Sequence, residues 1–212
     1  MSAERHENPK AHDWTSFYRA TEGGSPRHTL LTALAALEDS GRRGFAVDLG
    51  CGAGRDTFEL LRRGWRVLAI DGEPEALQRL TANAEVSDPA RLEVRLGRFE
   101  APELTLPRCD LVNASFSLPF CEPRAFDRLW GRIRDALKPG GCFAGQLLGQ
   151  RDSWALRDGV TAFDRTELQR LCAGFEAMLC EETEEDSPTA RGKAKHWHLY
   201  HLVLRKPEDA PQ

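Results

Sequence analysis

Alternating glycines form the strongest chemical signal in the sequence. Residues 45–55 read F-A-V-D-L-G-C-G-A-G-R, so that Asp48 is followed by Gly50, Gly52 and Gly54. Because glycine has no Cβ, the backbone can turn sharply there and a ligand can approach the main chain closely. The amides at the N-terminus of a following helix would favour a carboxylate or another anion. The stretch therefore predicts a backbone turn that binds a ligand.

The residues on either side predict the elements that position this turn. Apolar residues 45–47 precede it and predict a buried strand. After it, Phe58, Leu60 and Leu61 are interspersed with charged residues and predict an amphipathic helix. Strand, glycine turn and helix together are typical of a nucleotide-binding crossover.

The glycine spacing separates two classes of cofactor. A dinucleotide-binding fingerprint has glycine at its first, third and sixth positions. Counted from Gly50, the sixth position is Arg55, so the fingerprint fails. A nicotinamide-dependent oxidoreductase stays open as an alternative, because such enzymes also bind their cofactor at a strand, glycine turn and helix.

Two features further along the sequence support a cofactor-binding sheet. Asp71 ends a predicted strand at residues 65–70, where an acid can accept hydrogen bonds from ribose hydroxyls. Asp71 could also cap the following helix, which starts near Glu73-Pro74 and is predicted over residues 75–86, and one residue can do both. Residues 138–141 read K-P-G-G and predict a helix stop and a turn before an apolar strand at residues 142–148.

These features together resemble the class I S-adenosylmethionine-dependent methyltransferases, whose first motif reads acid-x-Gly-x-Gly-x-Gly. The resemblance covers roughly residues 29–204, and the string G-C-G-A-G-R-D-T is similar to small bacterial tellurite- and thiopurine-methylating enzymes. It implies an α/β fold with a doubly wound, Rossmann-like, seven-stranded sheet whose last strand is antiparallel. It also implies S-adenosyl-L-methionine as cofactor, S-adenosyl-L-homocysteine as product, and in-line methyl transfer to a small-molecule acceptor.

The resemblance also implies which residues meet the cofactor. Asp71 would bind the ribose, and Phe99 would either flank the adenine ring or pack in the core. The acid with which the family often reads the adenine amino group is replaced here by Arg98, so Glu100 or main-chain groups would serve instead. The predicted cofactor-binding residues are Tyr18, Asp48, Gly50, Cys51, Gly52, Arg55, Asp71, Gly72, Phe99, Asn113 and Ser115.

Aromatic residues predict the acceptor side of the site. Trp14, Phe17 and Tyr18 have helical spacing and predict a short helix, which either packs on the domain or forms a lid of the kind found in the family. The predicted fourth strand, residues 109–115, lacks the Asn-Pro-Pro-aromatic motif of the enzymes that methylate nucleobases or glutamine side chains. The predicted substrate residues are Trp14, Phe116, Phe120 and Trp154.

The sequence identifies no catalytic residue. The methyl sulfonium of the cofactor is already activated by its positive charge, so the enzyme mainly supplies proximity and alignment. A thiol or carboxylate acceptor needs no base, whereas a phenol or an amine can require one. A module that binds the cofactor without catalysis therefore stays open as a further alternative.

Composition limits the number of domains and the kinds of partner. The 212 residues, 41% hydrophobic and 29% charged, are enough for one substantial core. We expect a tail and lid segment at residues 1–28, a methyltransferase domain at 29–206 and a tail at 207–212.

The net charge of −4 does not indicate a nucleic-acid surface. No apolar run approaches the roughly 20 residues of a membrane helix. With no signal-like start and 6 cysteines without a C-x-x-C pair, the sequence predicts a cytoplasmic protein.

The last third of the sequence contains the remaining polar candidates. Arg151 and Asp152, which follow the predicted fifth strand, belong either to the substrate side or to a capped loop. His196 and His198 share one face of the predicted last strand, but no cysteine or carboxylate cluster completes a site, so we expect no metal. A charged hairpin loop is predicted at residues 184–195.

Overall fold

The structure is a computed structural model that describes residues 14–21, 23–39, 41, 44–83 and 89–208. The predicted tail at residues 1–11, the last three residues of a helix predicted at 75–86, and residues 209–212 of the second tail lie outside the described residues.

One β-sheet forms the centre of the molecule. Its eight strands are β1 (Phe45–Leu49), β2 (Arg66–Asp71), β3 (Leu92–Leu96), β4 (Cys109–Ala114), β5 (Leu137–Gly149), β6 (Ala162–Phe163), β7 (Glu176–Pro188) and β8 (Ala194–Arg205). Seven of them pair in the order β3-β2-β1-β4-β5-β8-β7, and the two-residue β6 pairs with β5. Only β8 pairs antiparallel with its neighbours; the other pairings are parallel. The predicted doubly wound α/β sheet with an antiparallel last strand is confirmed.

Helices cover both faces of this sheet. They are α1 (Trp14–Thr21), α2 (His28–Asp39), α3 (Arg55–Arg62), α4 (Pro74–Ala82), α5 (Pro123–Ala136) and α6 (Arg165–Cys172). Neighbouring residues of a strand point to opposite faces. In β1, Ala46 packs with α2 and α3, whereas Val47 packs with α5 and α6. Every residue of β4 is buried, as expected for a central parallel strand covered on both sides.

Three predicted boundaries are wrong. The helix predicted at residues 75–86 ends at Ala82, because Asn83 is already extended. The helix stop predicted at residues 138–141 is confirmed, since α5 ends at Ala136. The strand begins earlier than predicted, at Leu137, and the K-P-G-G string interrupts its pairing with β4, which resumes at Cys142. Most of the charged segment at residues 184–195 is strand, and the turn between β7 and β8 is confined to residues 189–193. The acidic residues of β7 are exposed, so they need no apolar pattern to form a strand.

Candidate functional site

A cavity of about 670 Å³ lies at the carboxyl ends of the parallel strands. Its floor comes from the glycine turn after β1 and from the ends of β2, β3 and β4, and helix α1 lies against it. This edge of a doubly wound sheet is where such folds bind ligands. The volume lies within the range of small-molecule sites. All of the predicted cofactor residues except Asn113 line it.

The glycine turn is shaped to let other groups approach the backbone. Gly50 has a φ of 71° and donates a hydrogen bond from its amide to the carbonyl of Ile70 at 2.8 Å. A Cβ at Gly50 would lie 2.3 Å from Cβ of Ser117, so no larger residue fits there. Gly54, with a φ of 100°, leads directly into α3, and a Cβ there would meet Leu80 at 2.4 Å. The turn therefore presents bare backbone to the cavity.

Asp71 is held rigidly at the end of β2. One carboxylate oxygen accepts the amide of Gly52 at 2.9 Å, and the other accepts the amide of Glu73 at 2.9 Å. The side chain is buried, and this burial raises the pKa of Asp71. A carboxylate has about four acceptor sites, so Asp71 keeps capacity for a hydroxyl donor. The predicted role of Asp71 as helix cap is wrong, because Glu73 is the N-cap of α4.

A buried acidic pair lies beneath the glycine turn. Asp48 accepts hydrogen bonds from the Thr57 hydroxyl at 2.6 Å and from the Asn113 amide at 2.9 Å. The same Asn113 nitrogen donates to Asp56 at 3.1 Å. Burial, and then the charge of Asp56, raise the pKa of Asp48 to about 7. Asn113 is fully buried, so its contact in this structure is with the two acids below the cavity surface.

Arg55 and Tyr18 join α1 to the glycine turn. The Arg55 guanidinium donates to the carbonyl of Thr21, the last residue of α1, at 2.9 Å. Tyr18 is buried against Gly52, and desolvation raises the pKa of its hydroxyl. The helix predicted at this end of the chain is present, and it lies where a lid would contact a ligand.

Phe99, Arg98 and Glu100 follow β3 and line the cavity near Asp71. Phe99 also packs on the main apolar core, so a core role and a ligand-facing role coexist. The two Glu100 oxygens already accept from the Glu122 amide at 3.2 Å and face Arg98 at 3.7 Å. Arg98 is largely exposed.

The predicted acceptor residues form an aromatic cluster, part of which lines the cavity. Trp14 meets Phe120 edge-on at 4.9 Å between ring centroids, and Phe120 contacts Trp154 at 6.1 Å. Trp14, Phe116 and Phe120 line the cavity, whereas Trp154 packs behind Phe120. Phe116 has a φ of 53°, uncommon for an aromatic residue, and its amide donates to Gln146 at 3.0 Å.

The loop after β5 supports this aromatic cluster through a buried ion pair. Asp152 pairs with Lys195, and both side chains are almost wholly buried. The Lys195 nitrogen lies 4.4 Å from the ring centre of Trp154 and 4.0 Å from that of Trp197. Neither Asp152 nor Arg151 lines the cavity. The substrate-side role considered for these two residues is therefore replaced by a supporting one.

The histidines of β8 belong to an ionic network outside the cavity. Arg151 pairs with Glu182 and Glu184, and the buried His198 contacts Glu182 at 2.9 Å. His196 lies between Glu184 and Asp186. Across the parts of the chain that the structure describes, no group of histidines, cysteines and acids has metal-binding geometry. Within the same ranges, no helix is long and apolar enough to cross a membrane.

Three residues with prominent positions escaped the sequence-based prediction. Asp56 and Arg27 line the cavity, and Trp197 backs Phe116 at 6.2 Å. Asp56 directly follows the glycine turn, and that position was a usable signal. Arg27 and Trp197 both contact Phe116, which is far from each of them in the sequence. No local sequence pattern predicts contacts of this kind.

Comparison with known proteins finds a family model that matches part of the chain, including the glycine turn. Residues 46–141 match the family model of a methyltransferase domain. The chain is 32% identical over 108 residues to the probable cobalt-precorrin-6B C(15)-methyltransferase (decarboxylating) of Methanothermobacter thermautotrophicus, covering 51% of this chain and 54% of that protein. It is 29% identical over 114 residues to the carboxy-S-adenosyl-L-methionine synthase of Yersinia pestis, covering 51% and 40%. The chain thus spans about half the length, or less, of these curated relatives.

Solved structures share the fold over most of the chain. TehB from Haemophilus influenzae superposes with a TM-score of 0.67 at 16% identity, over 82% of this chain and 61% of that one. The N-methyltransferase NodS from Bradyrhizobium japonicum, in complex with S-adenosyl-L-homocysteine, superposes with a TM-score of 0.66 at 20% identity, over 92% and 98%.

Proposed function

The chain has the class I methyltransferase fold, with a methyltransferase domain at residues 46–141, and from this premise we propose that it transfers a methyl group from S-adenosyl-L-methionine to a small-molecule acceptor. The observation that carries the proposal is the pairing of Asp71 with the Gly52 amide at 2.9 Å, which fixes a buried carboxylate beside a bare glycine turn.

The residues present fit this cofactor. Asp71 has acceptor capacity left for ribose hydroxyls, and Gly72 and Phe99 lie beside it for the nucleoside. Gly50, Cys51 and Gly52 line the cavity and would lie along the methionine part. Tyr18, Arg55 and Ser115 complete the cofactor residues that face the cavity, with Asp48 and Asn113 beneath them.

The bound cofactor supplies an activated methyl group. The chain's own contribution is to hold the acceptor in line with that methyl group and to exclude water. Phe116, Phe120 and Trp14 can do both, since they contribute apolar rings to the lining of the cavity. An apolar lining suits a small, partly apolar acceptor.

Isothermal titration of the purified protein with S-adenosylmethionine and S-adenosylhomocysteine tests the proposal. We expect both to bind, and we expect Asp71→Ala to weaken binding at least about tenfold, because a hydrogen bond to a charged group contributes roughly 1.5–3 kcal/mol. Asp127→Ala, on the exposed face of α5, is the matched control and should leave the affinity unchanged. Circular dichroism of each variant confirms folding.

Failure of the folded wild-type protein to bind either ligand would overturn the proposal. Reduced nicotinamide dinucleotide is titrated in parallel. Binding of that compound instead would restore the oxidoreductase alternative. Binding of S-adenosylmethionine without turnover across a broad acceptor panel would favour the non-catalytic module.

A further inference from the structure

Arg27 occupies a fixed position in the wall of the cavity. It directly precedes α2, and its backbone amide donates to Asp56 at 3.0 Å, which anchors its main chain to α3. Its guanidinium carbon lies 4.5 Å from the centre of the Phe116 ring. Phe116 is itself held by Gln146, whose amide group in turn donates to Thr29 at 2.8 Å. The guanidinium is therefore presented by a rigid support at the cavity surface.

The Arg27 guanidinium has no hydrogen-bond acceptor among the residues that the structure describes. Other arginines of the cavity differ: Arg55 donates to the Thr21 carbonyl, and Arg62 forms a bidentate pair with Glu59. Arg27 is partly buried, and desolvation followed by the charge of Arg55 lowers its pKa to about 10, so that it stays charged at neutral pH. The charge of Asp56 acts in the opposite direction and offsets part of this shift in the pKa of Arg27. Partly burying the guanidinium N–H groups without a hydrogen-bond acceptor still costs free energy. A ligand group that accepts these hydrogen bonds would remove that cost.

The chemistry around Arg27 selects the kind of anion. A planar guanidinium matches a planar carboxylate with two parallel hydrogen bonds. The same cavity contains Asp56 and Asp71, whose charges disfavour a dianion such as phosphate more than a monoanion. The ring of Phe116 covers one face of the Arg27 guanidinium, so the edge of the guanidinium stays available for such a planar contact. Phe116 has an uncommon backbone conformation, which marks a position where the fold tolerates strain.

We propose that Arg27 binds a carboxylate inside the cavity. Two sources have this chemistry: the methionine part of the cofactor and a carboxylate on the acceptor. The inference rests on the proposed function, and it adds a specificity residue that the sequence did not indicate. In either case Arg27 contacts the ligand directly.

The first arm of the test asks whether the carboxylate that Arg27 binds belongs to the cofactor. S-adenosylhomocysteine and its decarboxylated analogue are titrated into the wild type, Arg27→Gln and Arg27→Lys, with the exposed Arg124→Gln as control. If the cofactor supplies the carboxylate, Arg27→Gln weakens S-adenosylhomocysteine at least about tenfold and leaves the analogue unchanged, and Arg27→Lys recovers part of the loss. Equal weakening of both ligands would overturn the proposal, because the role would then be structural.

The second arm tests the acceptor as source. Benzoate and its neutral counterpart benzamide are titrated into the protein saturated with S-adenosylhomocysteine and followed by ligand-observed nuclear magnetic resonance. If the acceptor supplies the carboxylate, the wild type binds benzoate, Arg27→Gln loses it, and S-adenosylhomocysteine affinity is unchanged. The proposal is refuted if Arg27→Gln weakens neither S-adenosylhomocysteine relative to its decarboxylated analogue nor benzoate relative to benzamide. If the wild type binds no S-adenosylhomocysteine, the proposed function fails, and the benzoate titration of the protein alone still decides the role of Arg27.

Discussion

Replacing Lys195 by methionine should destabilise the protein more than any loss of a surface charge. The Lys195 side chain is 1% exposed and that of Asp152 is 0% exposed, so the pair has almost no access to water. Methionine fills a similar volume between Trp154 and Trp197 but leaves the Asp152 carboxylate without its cation. Removing one partner of a buried ion pair lowers the free energy of unfolding by about 3–5 kcal/mol.

The remaining partners of Asp152 place the expected loss at the lower end of that range. Its two oxygens still accept the Trp154 amide at 2.8 Å and the His198 amide at 3.1 Å. We therefore expect a loss of about 3 kcal/mol in the free energy of unfolding for Lys195→Met. For a chain of this length, that corresponds to a fall in melting temperature of about 6–12 °C.

Urea denaturation followed by tryptophan fluorescence measures this loss, and an unchanged slope with urea shows that the transition stays comparable. Arg124→Met, which breaks an exposed pair with Glu122, is the control and should change stability very little. The double variant Lys195→Met with Asp152→Asn should regain part of the stability, because no buried charge is then left alone. A loss for Lys195→Met no larger than that of the control would refute the reasoning.

Two further variants test other parts of the site and fold. The raised pKa of Asp48, about 7, means that the folded protein holds a proton which the unfolded chain releases near pH 4, so stability should fall as pH rises between these values. In Asp48→Asn this decline should flatten, as measured by urea midpoints at several pH values; an unchanged decline would contradict the assignment. Asp164→Ala removes the capping-box bond to the Glu167 amide at 2.7 Å. It should cost about 1 kcal/mol in a thermal melt, with Arg170→Ala as the exposed control.

Local patterns in the sequence were sufficient for the sheet and for the floor of the cavity. The glycine turn, Asp71 and the apolar strands are each defined by residues next to one another, so spacing alone predicts them. The ends of elements were harder, because Asn83 ends α4 without a glycine or proline to mark it. The capping box at Asp164 likewise depends on neighbours only, since Asp164 and Glu167 are three residues apart.

The rest of the site depends on which strands become neighbours. Lys195 meets Asp152 because β8 lies beside β5, and Arg27 meets Phe116 across 89 residues of sequence. Asn113 was assigned to the cofactor from its position at the end of a strand. In the structure its side chain is directed to the two buried acids, a choice that only the packed interior determines. No periodicity of the sequence contains such information.

The residues that line the cavity and the residues that support its aromatic cluster come from different parts of the chain, and this has a consequence for divergence. The glycine turn, Asp71, Phe99 and Ser115 all lie within residues 46–141, whereas Trp154, Lys195 and Trp197 come after them. Descendants of one ancestor could therefore exchange or remodel the later segment while the earlier one stays unchanged. The same division suggests how to build chimaeras. A graft that replaces the segment after residue 149 would exchange the residues that support the aromatic cluster and leave the residues that line the cavity in place.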